Sequence, residues 1–171
     1  MTRIAMSQAE VTCLDLASPG TLWVRIGGLA EATDSRIERV RGLIGPGEVS
    51  VLRGDNEHQL WSDAREFRWA SAQHGLIKLP IAPGQMVPLE SALQSLHPQL
   101  SRRYSVGGNV AWIAWPQELP ASELHQICAQ LKRNALALTG SWSPALMGEV
   151  VGGVFRQRLI SQFDPAGKLA M

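Results

Sequence analysis

The spacing of apolar and polar positions divides the chain into short strand-like and helix-like stretches. Thr21 to Ile26, TLWVRI, alternates with period two, placing Leu22, Val24 and Ile26 on one side and Trp23 and Arg25 on the other; this predicts a strand. Val11 to Leu16 reads as an edge strand before it, across a Ser18-Pro19-Gly20 turn. Glu31 to Ile44 carries Thr33, Ile37, Val40 and Ile44 on one helical face, and Gly45-Pro46-Gly47 stops it. Val49 to Arg53 reads as a short strand. Asp55 or Asn56 caps a helix to about Ala72, with Leu60, Trp61, Ala64 and Phe67 or Arg68 inward. Gly75 to Ala82, GLIKLPIA, is strand-like, and Pro80 confines it to an edge or an irregular end. Pro88 fits the first turn of a short helix faced by Leu89, Ala92, Leu93 and Leu96.

The centre of the pattern is Arg102 to Pro116, RRYSVGGNVAWIAWP. Arg103 to Val106 and Val110 to Trp115 read as strands of a hairpin turned by Gly107-Gly108-Asn109, residues that accept positive φ. VAWIAW is apolar on both faces, as in a strand covered from both sides. Ser122 caps a helix to about Leu138, with Leu124, Ile127, Cys128, Leu131 and Leu138 as its stripe. Ser141 to Gly148 has no clear period and reads as irregular or as a strand. A last helix spans about Val151 to Gln162, with Val151, Val154, Phe155 and Leu159 inward, before an Asp164-Pro165-Ala166-Gly167 turn. This order predicts an α+β fold: one antiparallel sheet with helices packed on one face, in an elaborated ferredoxin-like arrangement. At 171 residues the chain suits a single domain over 1–171.

A net charge of +1 gives no long-range pull on nucleic acid or anionic lipid. The N-terminal stretch lacks the continuous apolar core of a signal peptide, and no apolar run approaches membrane-spanning length. Cys13 and Cys128 have no motif spacing and read as reduced thiols of a cytoplasmic protein, with a single disulfide as the alternative. Phosphate-loop, dinucleotide-loop and nucleophile-elbow patterns are missing, and His58, His74, His97 and His125 are scattered without metal-ligand spacing. The sequence therefore names no catalytic residue and no metal site. Lys78 stands out, because a cation among Leu76, Ile77, Leu79 and Ile81 is costly to bury without an anionic partner. A ligand carboxylate would supply one; strand alternation pointing Lys78 at water is the plainer reading. Arg25, on the Trp23 side, reads as half of a salt bridge. Tyr104, the only tyrosine, is either a donor to a ligand or a structural phenol. Trp112 and Trp115 read as core, or as an interface if they reach the surface.

At the C-terminal helix, FRQRLISQFDPAGKL resembles the closing signature of FAD-linked oxidases of the vanillyl-alcohol oxidase type. TLWVRIGG, QLWSDAREF, GLIKLPIAPG and NVAWIAW agree in order, and the set looks like the C-terminal half of the FAD-binding subunit of bacterial glycolate oxidase over about residues 20 to 168. The family's terminal Asn-Pro-Gly is missing; after Gly167 the chain reads Lys168-Leu169-Ala170-Met171. The resemblance implies a substrate-side domain of an FAD-dependent 2-hydroxy acid oxidase or dehydrogenase, catalytically incomplete alone. FAD would be carried by a flavin-binding domain that precedes this region in the family and is not in this chain. Lys78 and Tyr104 become the implied substrate-binding residues, Lys78 holding the carboxylate of a small 2-hydroxy acid. The implied partners are a flavin-binding domain or other oxidase subunits, across an unusually apolar surface. A second reading, from the residues alone, is a stand-alone α+β binding module that pairs as a homodimer through a sheet face.

Overall fold

The computed structural model describes residues 1–148, 152–166 and 168. The elements are α1 (Thr2–Ala5), β1 (Val11–Ser18), β2 (Thr21–Ile26), α2 (Thr33–Ile44), α3 (Asp55–Arg65), β3 (His74–Pro80), α4 (Met86–Leu96), β4 (Arg102–Ser105), β5 (Val110–Pro116), α5 (Ala121–Gln130), β6 (Asn134–Ala137), β7 (Leu146–Gly148) and α6 (Gly153–Phe163). The seven strands form one sheet in the order β2-β1-β4-β5-β3-β6-β7, and every pairing is antiparallel. The fold is α+β, as the order of elements predicts.

Cross-strand partners share a face, so the register sorts the side chains. On the first face lie Leu16, Tyr104, Ala111 and Leu79 in one row, with Arg102, Ile113 and Ile77 in the next. Helices α4 and α5 close this face. Leu89 and Leu93 of α4 and Leu124, Ile127 and Cys128 of α5 join Ile77, Leu79, Tyr104, Ile113, Trp115 and Ala135 in one buried cluster. On the second face lie Ala17, Arg103, Trp112, Lys78, Leu136 and Leu146 in one row, with Trp23 and Asp15 paired beside it.

The expectation of helices on one face holds for α4 and α5 and fails for α3. Trp61 of α3 meets Trp23 edge-on, with ring centroids 6.3 Å apart, and Glu57 pairs with Arg25, both partners lying on the second face. The chain after α3 continues across that face, with Phe67 4.8 Å from the Trp112 ring. Strand β5 is thus covered from both sides, the arrangement its apolar sequence calls for.

Four further expectations change. Val49 to Arg53 forms no strand; Val49, Val51 and Leu52 stay exposed. Helix α3 ends at Arg65, and Phe67 beyond it adopts φ +54°. Helix α5 ends at Gln130 rather than near Leu138. Lys132 turns left-handed at φ +53° and the Arg133 amide donates to Cys128 O at 2.9 Å, a Schellman-type closure. Residues 134–137 then pair with β3. In NALAL, Ala135 is buried while Leu136 and Leu138 are exposed, so a period-two pattern of small and large residues had passed for the tail of a helical stripe. Finally, Val154, Phe155 and Leu159 of α6 are exposed rather than inward. The expected helix start at Val151 and the turn residue Gly167 fall outside the described residues.

One glycine pair fixes the far end of the sheet. A Cβ on Gly75 would sit 2.6 Å from Trp142 Nε1, and one on Gly140 only 2.2 Å from it. The Trp142 indole fills the space both side chains would need.

Candidate functional site

Two polar groupings are built into the sheet, one on each face. The first joins Glu90 of α4 to strand ends of β1 and β4. Glu90 Oε2 accepts from Arg102 Nε at 2.8 Å and from Tyr104 Oη at 2.6 Å, and its Oε1 accepts from Ser18 Oγ at 2.5 Å and from Arg102 Nη2. Arg102 Nη1 donates to Leu100 O at 2.8 Å. Burial alone would raise the Glu90 carboxyl, yet the donors from Arg102, Ser18 and Tyr104 together hold it down to about 2. Burial and the Glu90 carboxylate push the Tyr104 phenol well above its ordinary range.

This cluster settles where Tyr104 points. Its ring is buried on the helix-covered face and its hydroxyl is taken by Glu90. Lys78 lies on the opposite face, so the structure does not bring the two expected substrate-binding residues together. The strand register alone separates them. Tyr104 is opposite Ala111, whereas Lys78 is opposite Trp112, one position along β5.

The second grouping is a row of cations and aromatic rings across the sheet. Lys78 Nζ lies 5.5 Å from the Trp112 ring centroid. Lys78 and Trp112 are half-buried, and the next residue in the row, Leu136, is exposed. No carboxylate partners Lys78 among the described residues. On the other side of Trp112 stands Arg103, with its guanidinium carbon 3.9 Å from the Trp23 centroid and 5.4 Å from that of Trp69. Arg103 is 4% exposed, and its Nε and Nη1, like Trp69 Nε1, have no hydrogen-bond partner among the described residues. Asp15 is the acid nearest in effect: burial raises its carboxyl, and the Arg103 charge opposes that rise. Trp115 points the other way, into the core. Arg25 forms the expected salt bridge, Nε to Glu57 Oε1 at 2.7 Å.

A separate concavity of about 200 Å³ is lined by Ser122, His125, Trp142 and Ser143, with His125 Nδ1 accepting from the Gly148 amide at 3.1 Å. That bond occupies one ring nitrogen and leaves Nε2 the protonated one. A second concavity, of about 130 Å³, lies beside Arg103 and Trp69. Neither reaches the ~300 Å³ at which small-molecule sites usually begin, and FAD is large for its class. The glycine pairs at 27–28 and 107–108 serve turns: Gly28 lies against Arg36 and Glu10, and Gly107 bends between β4 and β5 at φ +66°. Neither of these two concavities is large enough to hold FAD. Among the described residues no group of three or more His, Cys, Asp or Glu is placed to hold a metal ion, and no helix is long and apolar enough to cross a membrane.

No protein-family model, curated protein or solved structure gives a significant match to the chain. Function rests on the residues and their geometry.

The reading from sequence found Lys78 and missed Arg103, Trp69 and Glu90. A signal for Arg103 was present. Two adjacent arginines open a strand of a central hairpin, and alternation must send one to each face. Each then enters a covered layer.

Proposed function

We propose that this chain is the substrate-side domain of an FAD-dependent 2-hydroxy acid oxidase or dehydrogenase, and that it is catalytically incomplete alone. The observation that carries the reading is Lys78. It is a half-buried cation on a sheet face, flanked by Trp112 and the exposed Leu136, with no carboxylate partner among the described residues. A small carboxylate lying against that face would give the ammonium its counter-charge, and Trp112 would cover the apolar side. Redox chemistry would belong to a flavin carried by a second domain. Tyr104 supports the site only from beneath, by fixing β4 through Glu90.

Two features support a covered domain. The strand and helix order from β3 to β6 is β-α-β-β-α-β, with sheet order β4-β5-β3-β6, which supports reading the fold as ferredoxin-like with β1, β2 and β7 as elaborations. In addition, Phe155, Leu159 and Phe163 of α6 recur every four residues and are all exposed, which is the stripe a helix shows when a partner is meant to cover it.

The test is reconstitution with a flavin-binding domain that carries glycine-rich phosphate loops. The chain alone should retain no FAD after gel filtration. Together the two should co-purify, hold flavin and oxidise glycolate or lactate, and Lys78→Met should raise KM for the acid far more than it lowers kcat. If the domains do not associate, the same α6 stripe favours the second reading, a homodimeric binding module without catalysis. Sedimentation of the chain alone would then show a dimer that Phe155→Ser dissociates.

A further inference from the structure

The structure assigns a second binding site, separate from Lys78. We propose that the cavity between Arg103 and Trp69 binds a small oxyanion, either a carboxylate or inorganic phosphate. The first argument is the unmet charge. Arg103 is buried at 4% exposure, and its Nε and Nη1 have no partner among the described residues. Such a guanidinium is expensive to enclose unless something accepts from it. Asp15 does not fill that role, since no ion pair joins the two within 4.0 Å.

The second argument is convergence. Trp69 Nε1, a donor only, is also buried without a partner, and it lines the same cavity as Arg103. Three donor atoms of these two residues are thus unpartnered and enclosed just behind the concavity that both residues line, and one acceptor-rich guest would serve them once a small side-chain shift turned them towards it. Neighbouring Arg102 also lines the cavity, but its charge is spent on Glu90. Ser101 adds a hydroxyl.

The third argument is fixed geometry and size. The guanidinium lies against the Trp23 ring at 3.9 Å and near Trp69 at 5.4 Å, so stacking holds its plane in place. The cavity is about 130 Å³. At ~30 Å³ for each liquid water, that is room for roughly four waters, or for one anion of about that many heavy atoms. Acetate, glycolate and phosphate all fit this description; a nucleotide does not.

The test uses the full chain at constant ionic strength. Inorganic phosphate, acetate and glycolate are titrated separately, followed by tryptophan fluorescence and by calorimetry. Saturable binding of phosphate alone would name an inorganic anion site; saturable binding of acetate and glycolate would name a carboxylate site. Trp69→Phe keeps the ring and removes the donor, and should weaken binding about tenfold, the loss of one hydrogen bond to a charged partner. Arg103→Gln should abolish it. Should Arg103→Gln fail to fold, Trp69→Phe carries the test alone. Binding lost in Arg103→Gln or Trp69→Phe and kept in Lys78→Met belongs to this cavity, whereas binding lost only in Lys78→Met belongs to the proposed substrate site, so the two readings fail separately. If no anion saturates the folded chain, or if Trp69→Phe and Arg103→Gln bind as the parent does, the cavity holds water and the proposal is overturned.

Discussion

Replacing Glu90 by Gln keeps the shape of the buried cluster and removes its negative charge. Arg102 is then left with its guanidinium side chain 3% exposed and no anion beside it. Deleting one partner of a buried pair typically costs about 3–5 kcal/mol. Here Glu90 is itself 27% exposed, and the amide still offers one acceptor, so the expected loss is about 2 kcal/mol. The pKa argument agrees in size. The folded carboxyl titrates at about 2 against an ordinary 4.5; taken whole, that difference is about 3 kcal/mol, and partial exposure reduces it. The folded value is the lower one, so the unfolded chain takes up the proton first as pH falls. The stabilisation is therefore complete above 4.5 and disappears as pH drops towards about 2. Urea unfolding of the parent and of Glu90→Gln should show a gap of about 2 kcal/mol at pH 7, closing steadily below pH 4.5, with m unchanged. A gap below about 0.5 kcal/mol at pH 7, the range of ordinary surface changes, would refute the reasoning. So would a gap that stays constant down to pH 3.

Three further outcomes are expected. Gly148→Ala should destabilise by about 3 kcal/mol or more, seen as a lowered Tm, because the residue has φ +89° and its Cβ would lie 2.2 Å from Arg133 O and 2.9 Å from Cys128 Cβ. Iodoacetamide at pH 8 should label Cys13 in the native protein and Cys128 only after unfolding, since burial encloses the Cys128 thiol and pushes it up to about 11; equal labelling of both, read by mass spectrometry, would contradict the packing of α5. Lys78→Met should leave Tm within a few degrees of the parent, because it keeps the aliphatic stem against Trp112 and gives up only a weak cation–ring contact.

Much of the sheet was legible in the sequence because its strands carry their burial in period two. TLWVRI gave β2 with its bounds, and VAWIAW marked β5 as covered on both sides. Pro80 was allowed an edge or an irregular end, and it takes the end: β3 is an interior strand flanked by β5 and β6, and Pro80 is its last residue. What local pattern could not carry was the partner of each stripe. Leu138 fits the helical spacing of α5, yet a left-handed Lys132 ends the helix first, and lysine is no usual sign of a left-handed residue. Val49 to Arg53 has strand-like residues and no neighbour to pair with. The stripe on α6 was read correctly as apolar, and only the three-dimensional arrangement shows that the described residues leave it uncovered. At the candidate sites, a lysine amid apolar residues announced itself. Arg103 and Glu90 look like ordinary surface charges until strand pairing assigns their faces.

The Trp142 indole lying over Gly75 and Gly140 ties together three positions that are far apart in sequence. None of them can drift alone. An alanine at 75 meets the ring at 2.6 Å and the Thr139 carbonyl at 3.0 Å, so it needs Trp142 to shrink first, while Gly140, at φ +106°, resists a side chain whatever stands at 142. A smaller residue at 142, in turn, leaves a void that larger neighbours can later fill. Descendants of this sequence should accordingly keep glycine at 140 and fall into two groups, tryptophan at 142 with glycine at 75 or a small residue at 142 with a freer residue at 75, and the passage between them has to begin at 142.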